Sequence, residues 1–189
     1  MTKELSDKLI GYHYTNEQAY LSMHDGSSYG KNGLIPIKRF VRYSCGKNLP
    51  KRAHDGVIEA LLGPEPKSWI ENPEFPNLWG YLMHDICKKE KVILLSFEIL
   101  PTDKAFVVDR AHVERFLYHE SKTNSKPTKS VEIEAFRNYW KSRIPAFNYE
   151  GGYDVSQLAI WSKIGTDRLK VEWMRSSREV WERAKENNW

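Results

Sequence analysis

The chain has 189 residues, 40% hydrophobic and 29% charged, which excludes a disordered or fibrous protein and is ample length for one domain with a sizeable core. A net charge of +4 with a pI near 8.9 favours a phosphate-bearing ligand or nucleic acid without selecting either. Two cysteines, Cys45 and Cys87, exclude a disulfide framework, and neither a leader nor a membrane span is expected from the polar Met1–Lys8 start and the absence of a long apolar run, so the expected setting is cytoplasmic.

Tyr12 and Tyr14 favour extended backbone and predict a first strand ending near Thr15. Thr15 is expected to N-cap a helix reaching Met23, with Gln18 closing a capping box, which puts His13 at a strand edge facing a turn. Gly26, Ser27 and Ser28 end that helix, and Gly30–Gly33 extends the loop. Val57–Leu62 reads as a short helix. Pro64, Pro66, Pro73 and Pro76 then predict an irregular excursion over about 63–82, packed down by Trp69, Phe75, Trp79 and Tyr81.

Lys91–Ile99 is the strongest strand signal, apolar on both faces as a central strand would be. Ala105–Val108 predicts another strand, with Asp109 capping a helix from Arg110 to about Tyr118. A polar loop over about 120–130 leads to an amphipathic helix over Val131–Ile144, where Ile133, Phe136, Trp140 and Ile144 recur at helical spacing. After the Gly151-Gly152 break, Gln157–Trp161 and Leu169–Trp173 predict two strands joined by a turn containing Gly165 and Asp167, and Ser176 with Glu179 caps a last helix. The pattern is a single α+β domain over residues 1–189.

Six histidines are present, yet the lone His84-x-x-Cys87 and the separated His112 and His119 complete no zinc site. There is no G-x-S-x-G elbow, P-loop or G-x-G-x-x-G turn. Cys45 lies near Arg42 and Lys47, which would lower a thiol pKa, although a buried or merely exposed thiol is the commoner case. Lys38, Arg39 and Arg42 interleave with Phe40 and Tyr43, a mixture able to hold a diphosphate and stack a flat ring, and also that of an ordinary exposed strand.

Tyr12-His13-Tyr14-Thr15, followed by Gly33-Leu34-Ile35-Pro36, and near the other end Gln157–Trp161 followed by Asp167–Val171, resemble the ADP-ribosyltransferase fold, in particular its branches related to the DarT and RNA 2′-phosphotransferase families. The resemblance implies a split antiparallel or mixed β-sheet with short flanking helices and NAD bound in the cleft as substrate. On this likeness His13 would hydrogen-bond the adenosine ribose, an imidazole offering a donor and an acceptor on one rigid ring. Tyr14, Thr15 and Arg42 would be further NAD contacts, and Tyr43 would stack on nicotinamide, with Tyr29 as the second candidate. Many such transferases begin the late strand with a glutamate that bonds the reacting ribose; here that register holds Gln157, whose amide lacks the negative charge. Glu150 or Asp154 could substitute. The implied reaction is ADP-ribose transfer to a protein or nucleic-acid acceptor. The alternatives are NAD-dependent RNA 2′-phosphate transfer and a non-catalytic module that binds nucleic acid or a protein partner.

Overall fold

The computed structural model of the protein describes residues 8–24, 33–35, 57–65, 67–72, 74, 78–79, 83, 86, 91–115 and 129–186. Strand β1 (Ile10–Asn16) pairs along its length with β4 (Lys91–Glu98), which carries β9 (Lys170–Ser176) on its other side. A second sheet has the order β3 (Ile58–Ala60), β7 (Ser156–Ile160), β5 (Ala105–Asp109), β6 (Ile144–Pro145). A two-residue pair joins β2 (Gly33–Leu34) to β8 (Ile164–Gly165). Every strand pair among the described residues is antiparallel, so the expected α+β class holds with antiparallel sheets.

The apolar run in β4 explains its central place. Ile93, Leu95 and Phe97 are buried on one face against Leu158 and Ile160 of the second sheet, while Val92 and Leu94 are buried on the other with Tyr14, Trp69 and Trp79. Successive residues point to opposite faces, so a strand covered on both sides needs apolar residues throughout. Burying each such aliphatic side chain contributes about 1.5–3 kcal/mol. The first cluster draws on both sheets and on β2 and β8, through Leu34 and Ile164.

Helix α1 (Glu17–His24) starts one residue later than expected. Asn16 Oδ1 accepts the Ala19 N–H at 3.0 Å and is the N-cap, whereas Thr15 stays in β1 opposite Ile93, buried. Asn caps at least as well as Thr, and the sheet pairing holds Thr15 extended. Val57–Leu62 is not a helix: it contains β3, with Ile58 and Ala60 in one core and Leu61 in the other. The excursion does pack down at its described residues. It carries a short helix α2 (Lys67–Ile70), and Trp69, Leu78 and Trp79 are buried, whereas Phe75 and Tyr81 lie outside the described residues.

Asp109 caps as expected, its Oδ1 accepting the Ala111 N–H at 3.0 Å at the start of α3 (residues 111–115); the rest of the predicted helix lies outside the described residues. Helix α4 (Lys129–Lys141) begins inside the stretch read as a polar loop and ends before Ile144, which instead pairs with Val107 as part of β6. It lays Phe136, Tyr139 and Trp140 over Val108 and Ala159. Gly151 and Gly152 both have positive φ, a reversal glycine makes without a Cβ penalty.

The two late strands do not pair with each other. β7 joins the four-stranded sheet, β9 joins the three-stranded one, and the chain between them crosses over through β8 and a 3-10 turn at Thr166–Arg168. Arg168 anchors that crossover by forking onto Asp103, with Nη1 to Oδ1 at 3.1 Å and Nη2 to Oδ2 at 2.5 Å. Ser176 and Glu179 form the expected capping box of α5 (Ser177–Glu186): the Ser176 N–H donates to Glu179 Oε2 at 2.8 Å, and the Glu179 N–H donates to Ser176 Oγ at 3.2 Å.

Candidate functional site

The two larger sheets share a core, and among the described residues one backbone bridge links their strands. Tyr12 N–H donates to the Leu61 carbonyl at 2.9 Å, and Leu61 N–H donates to the Tyr12 carbonyl at 2.8 Å. Continuing that register would set Tyr14 opposite Glu59. Instead the Glu59 carbonyl faces His13 Nδ1 at 2.8 Å, so a side chain takes the place of a backbone ladder bond where the strands part. A carbonyl oxygen only accepts, so Nδ1 is the donor of this bond, and whenever the ring is neutral Nε2 is its acceptor nitrogen.

The other motif residues have structural partners. Tyr14 is 7% exposed, its hydroxyl donates to the Pro64 carbonyl at 2.5 Å, and its ring packs edge-on against Trp79 and Trp173 with centroids 5.0 and 5.7 Å away. Burial, with the Glu65 carboxylate next in weight, pushes its phenol well above the ordinary value. Thr15 is 5% exposed. Neither therefore presents itself to a ligand as expected: the alternation of β1 turns Tyr14 into the aromatic core, and Thr15 shares the face of the buried Ile93. Arg42, Tyr43 and Tyr29 lie outside the described residues.

Gln157 is 1% exposed and accepts a hydrogen bond from the Tyr139 hydroxyl at 3.0 Å. It stands opposite Val108 on the face of β7 covered by α4, whereas His13 stands opposite Leu95 on the face of the shared core. His13 and Gln157 are not brought to one surface. Glu150 is exposed, in the turn before β7. Asp154 is also exposed, its carboxylate held at 2.9 Å by Arg115, which forks onto Glu74 as well.

Behind the split lies a charged cluster that the sequence reading did not single out. Arg110 Nε donates to Glu114 Oε1 at 2.5 Å, and its Nη1 lies 3.5 Å from Glu59 Oε2, all three side chains less than one-fifth exposed. The guanidinium sits 4.9 Å from the centroid of the Trp69 ring, whose Nε1–H donates to the Ser156 carbonyl at 3.1 Å. Burial opposes the Arg110 charge, but the Glu114 and Glu59 carboxylates outweigh it and hold the guanidinium more firmly protonated than usual. Burial also raises the nearby Tyr139 phenol, with the Glu59 charge adding to it. The available signal was Glu59 itself, a lone acid inside the apolar run Val57–Leu62. A carboxylate at such a position needs a buried cation.

Among the described residues no group of three or more His, Cys, Asp or Glu could hold a metal ion, and no helix is long and apolar enough to cross a membrane. No protein-family model matches this chain, and searches of curated proteins and of solved structures return no match.

Proposed function

We propose that this chain is an ADP-ribosyltransferase-like protein that binds NAD where the sheet divides between β1 and β3, with His13 bonding the adenosine ribose. The observation that carries the reading is the parting of the strands at His13, beside a single bridge at Tyr12 and Leu61. The resemblance puts NAD where a β-sheet splits, and the parting of β1 from β3 is the feature that supports that placement here. With Nδ1–H given to the Glu59 carbonyl, Nε2 has the polarity to accept from a ribose hydroxyl. Transfer of ADP-ribose to a protein or nucleic-acid acceptor is the reaction this reading entails.

Titration with NAD by calorimetry, alongside nicotinamide release, tests the proposal in wild type and His13→Ala. Saturable binding in wild type, weakened in His13→Ala, is the expected result; no binding at millimolar NAD overturns it. A second reading, binding without transfer, is favoured by the burial of Gln157 under Tyr139, which gives it a structural partner in place of a ribose. It predicts NAD binding with no nicotinamide released. Salt-sensitive oligonucleotide binding that survives His13→Ala would instead mark a nucleic-acid-binding module.

A further inference from the structure

We propose that two copies of this chain pair antiparallel along the outer edge of β9, with a two-fold axis at Val171. The outer strands of the two larger sheets differ in how far they are closed. β1 is met by Leu61, β3 is three residues long, and β6 is two residues long and ends in Pro145, which has no N–H to offer. β9 runs for seven residues, and no strand lies on its outer side among the described residues. Two of its apolar side chains are open as well. Val171 stands opposite Leu95 and Met174 opposite Ile93, on the side of the shared core, yet Leu95 and Ile93 are fully buried while Val171 is 38% exposed and Met174 42%. The cover given by the second sheet stops one strand short. Apolar side chains are thus left beside open ladder groups, the combination to which a further strand adds.

The charges select the partner. Lys170 and Glu172 flank Val171 on the other face of the strand: Lys170 stands opposite Ser96, whose hydroxyl donates to Glu172 Oε1 at 2.5 Å, and Lys170 Nζ lies 3.0 Å from the same oxygen. The Ser96 hydrogen bond and the Lys170 ammonium hold the Glu172 carboxyl below its usual range, so it is charged at neutral pH. A two-fold axis at Val171 sets Lys170 of each copy directly opposite Glu172 of the other. Each charge then has an opposite neighbour both along its own strand and across the interface. Moving the axis by one residue sets Lys170 against Lys170, or Glu172 against Glu172, and like charges directly opposite destabilise a strand pair. A strand of another protein would need these charges in the reverse order, whereas a second copy has them by symmetry. The bulge at Glu172, where Leu94 and Leu95 face Trp173 and Val171, interrupts regular pairing beyond it, so the contact is short and the association weak.

Sedimentation velocity on the full chain, from micromolar to near-millimolar concentration at low salt, tests the pairing without NAD. Wild type is expected to show a reversible dimer that added salt weakens. Lys170→Glu and Glu172→Lys each place like charges across the axis, so each alone should dimerise at least about tenfold more weakly. An equimolar mixture of the two should restore a one-to-one dimer, because every altered charge then meets its opposite; a variant that merely misfolds gives no such rescue. Val171→Lys sets two ammonium groups against each other on the axis and should also dissociate the dimer. Circular dichroism checks that each variant folds, and if Glu172→Lys does not, Val171→Lys and Lys170→Glu decide. Wild type that stays monomeric throughout overturns the proposal. So does a dimer that survives both Val171→Lys and Lys170→Glu, or a mixture of folded charge variants that stays monomeric.

Discussion

Replacing Tyr139 by Phe removes one oxygen and leaves Gln157 Oε1 without its 3.0 Å donor on the covered face of β7. Both residues are almost wholly buried, 0% and 1% exposed, so water does not readily take the place of the lost hydroxyl. Stranding a buried acceptor costs about 1–3 kcal/mol, more than the net value of the bond itself. For a chain of this length each kcal/mol moves the melting temperature by about 2–4 °C, so Tyr139→Phe should melt about 2–12 °C lower. Scanning calorimetry on Tyr139→Phe, Gln157→Leu and the double variant separates the terms. The double variant should be less destabilised than the sum of the singles, since removing both partners leaves neither stranded. A neutral Tyr139→Phe, or strictly additive singles, would refute the reasoning and mean that solvent reaches Gln157.

The Asp103–Arg168 fork gives an acid-limb prediction. Burial alone would raise the Asp103 carboxyl, but the Arg168 hydrogen bonds and charge, together with the Leu100 N–H, bring it below its ordinary value. Its folded pKa is therefore lower than its unfolded one, and the stability it contributes is present above about pH 4 and lost as pH falls through the folded value. Asp103→Asn should flatten that part of the stability curve in urea titrations run from pH 5 to 2; an unchanged acid limb would count against it. Gly33 sits at φ +125°, and a Cβ there would run into the Ile164 carbonyl, so Gly33→Ala should break the β2–β8 pair. The loss is expected to be at least about 1–3 kcal/mol, read as a lower urea midpoint.

β4 and the capping box of α5 were legible because their signals are local: an unbroken apolar run, and two polar side chains at fixed spacing. β3 was not. Val-Ile-Glu-Ala-Leu-Leu is apolar on both sides, and a segment buried on two faces shows no period that separates strand from helix. Misreading it hid Glu59, and with Glu59 went the partner of Arg110 and the carbonyl facing His13. The late strands failed for another reason. Their spacing suits a hairpin, but β7 is claimed by β3 and β5 and β9 by β4, a choice made by the burial of Leu158 and Ile160. In the candidate site, the extended backbone around His13 was readable from Tyr12 and Tyr14, but His13 stands in the middle of β1 and not at its end beside a turn, because the pairing with β4 carries the strand on to Asn16. The burial of Gln157 was not readable, since it depends on α4 lying over that face.

The single bridge at Tyr12 and Leu61 also bears on how the chain folds. Almost no strand finds its partner nearby: Ile10 waits for Glu98, Gly33 for Gly165, and Ile58 for Ile160. Each pairing closes a long loop before any contact repays the entropy, so folding should be slow for the chain's size and leave β1 and β3 as open edges until late. Until those pairings form, the apolar run of β4 is open to other chains, and β9, the last of the described strands in chain order, closes one flank of it. A chain halted before residue 170 would carry an unpaired β4 edge, the kind of template on which aggregation starts.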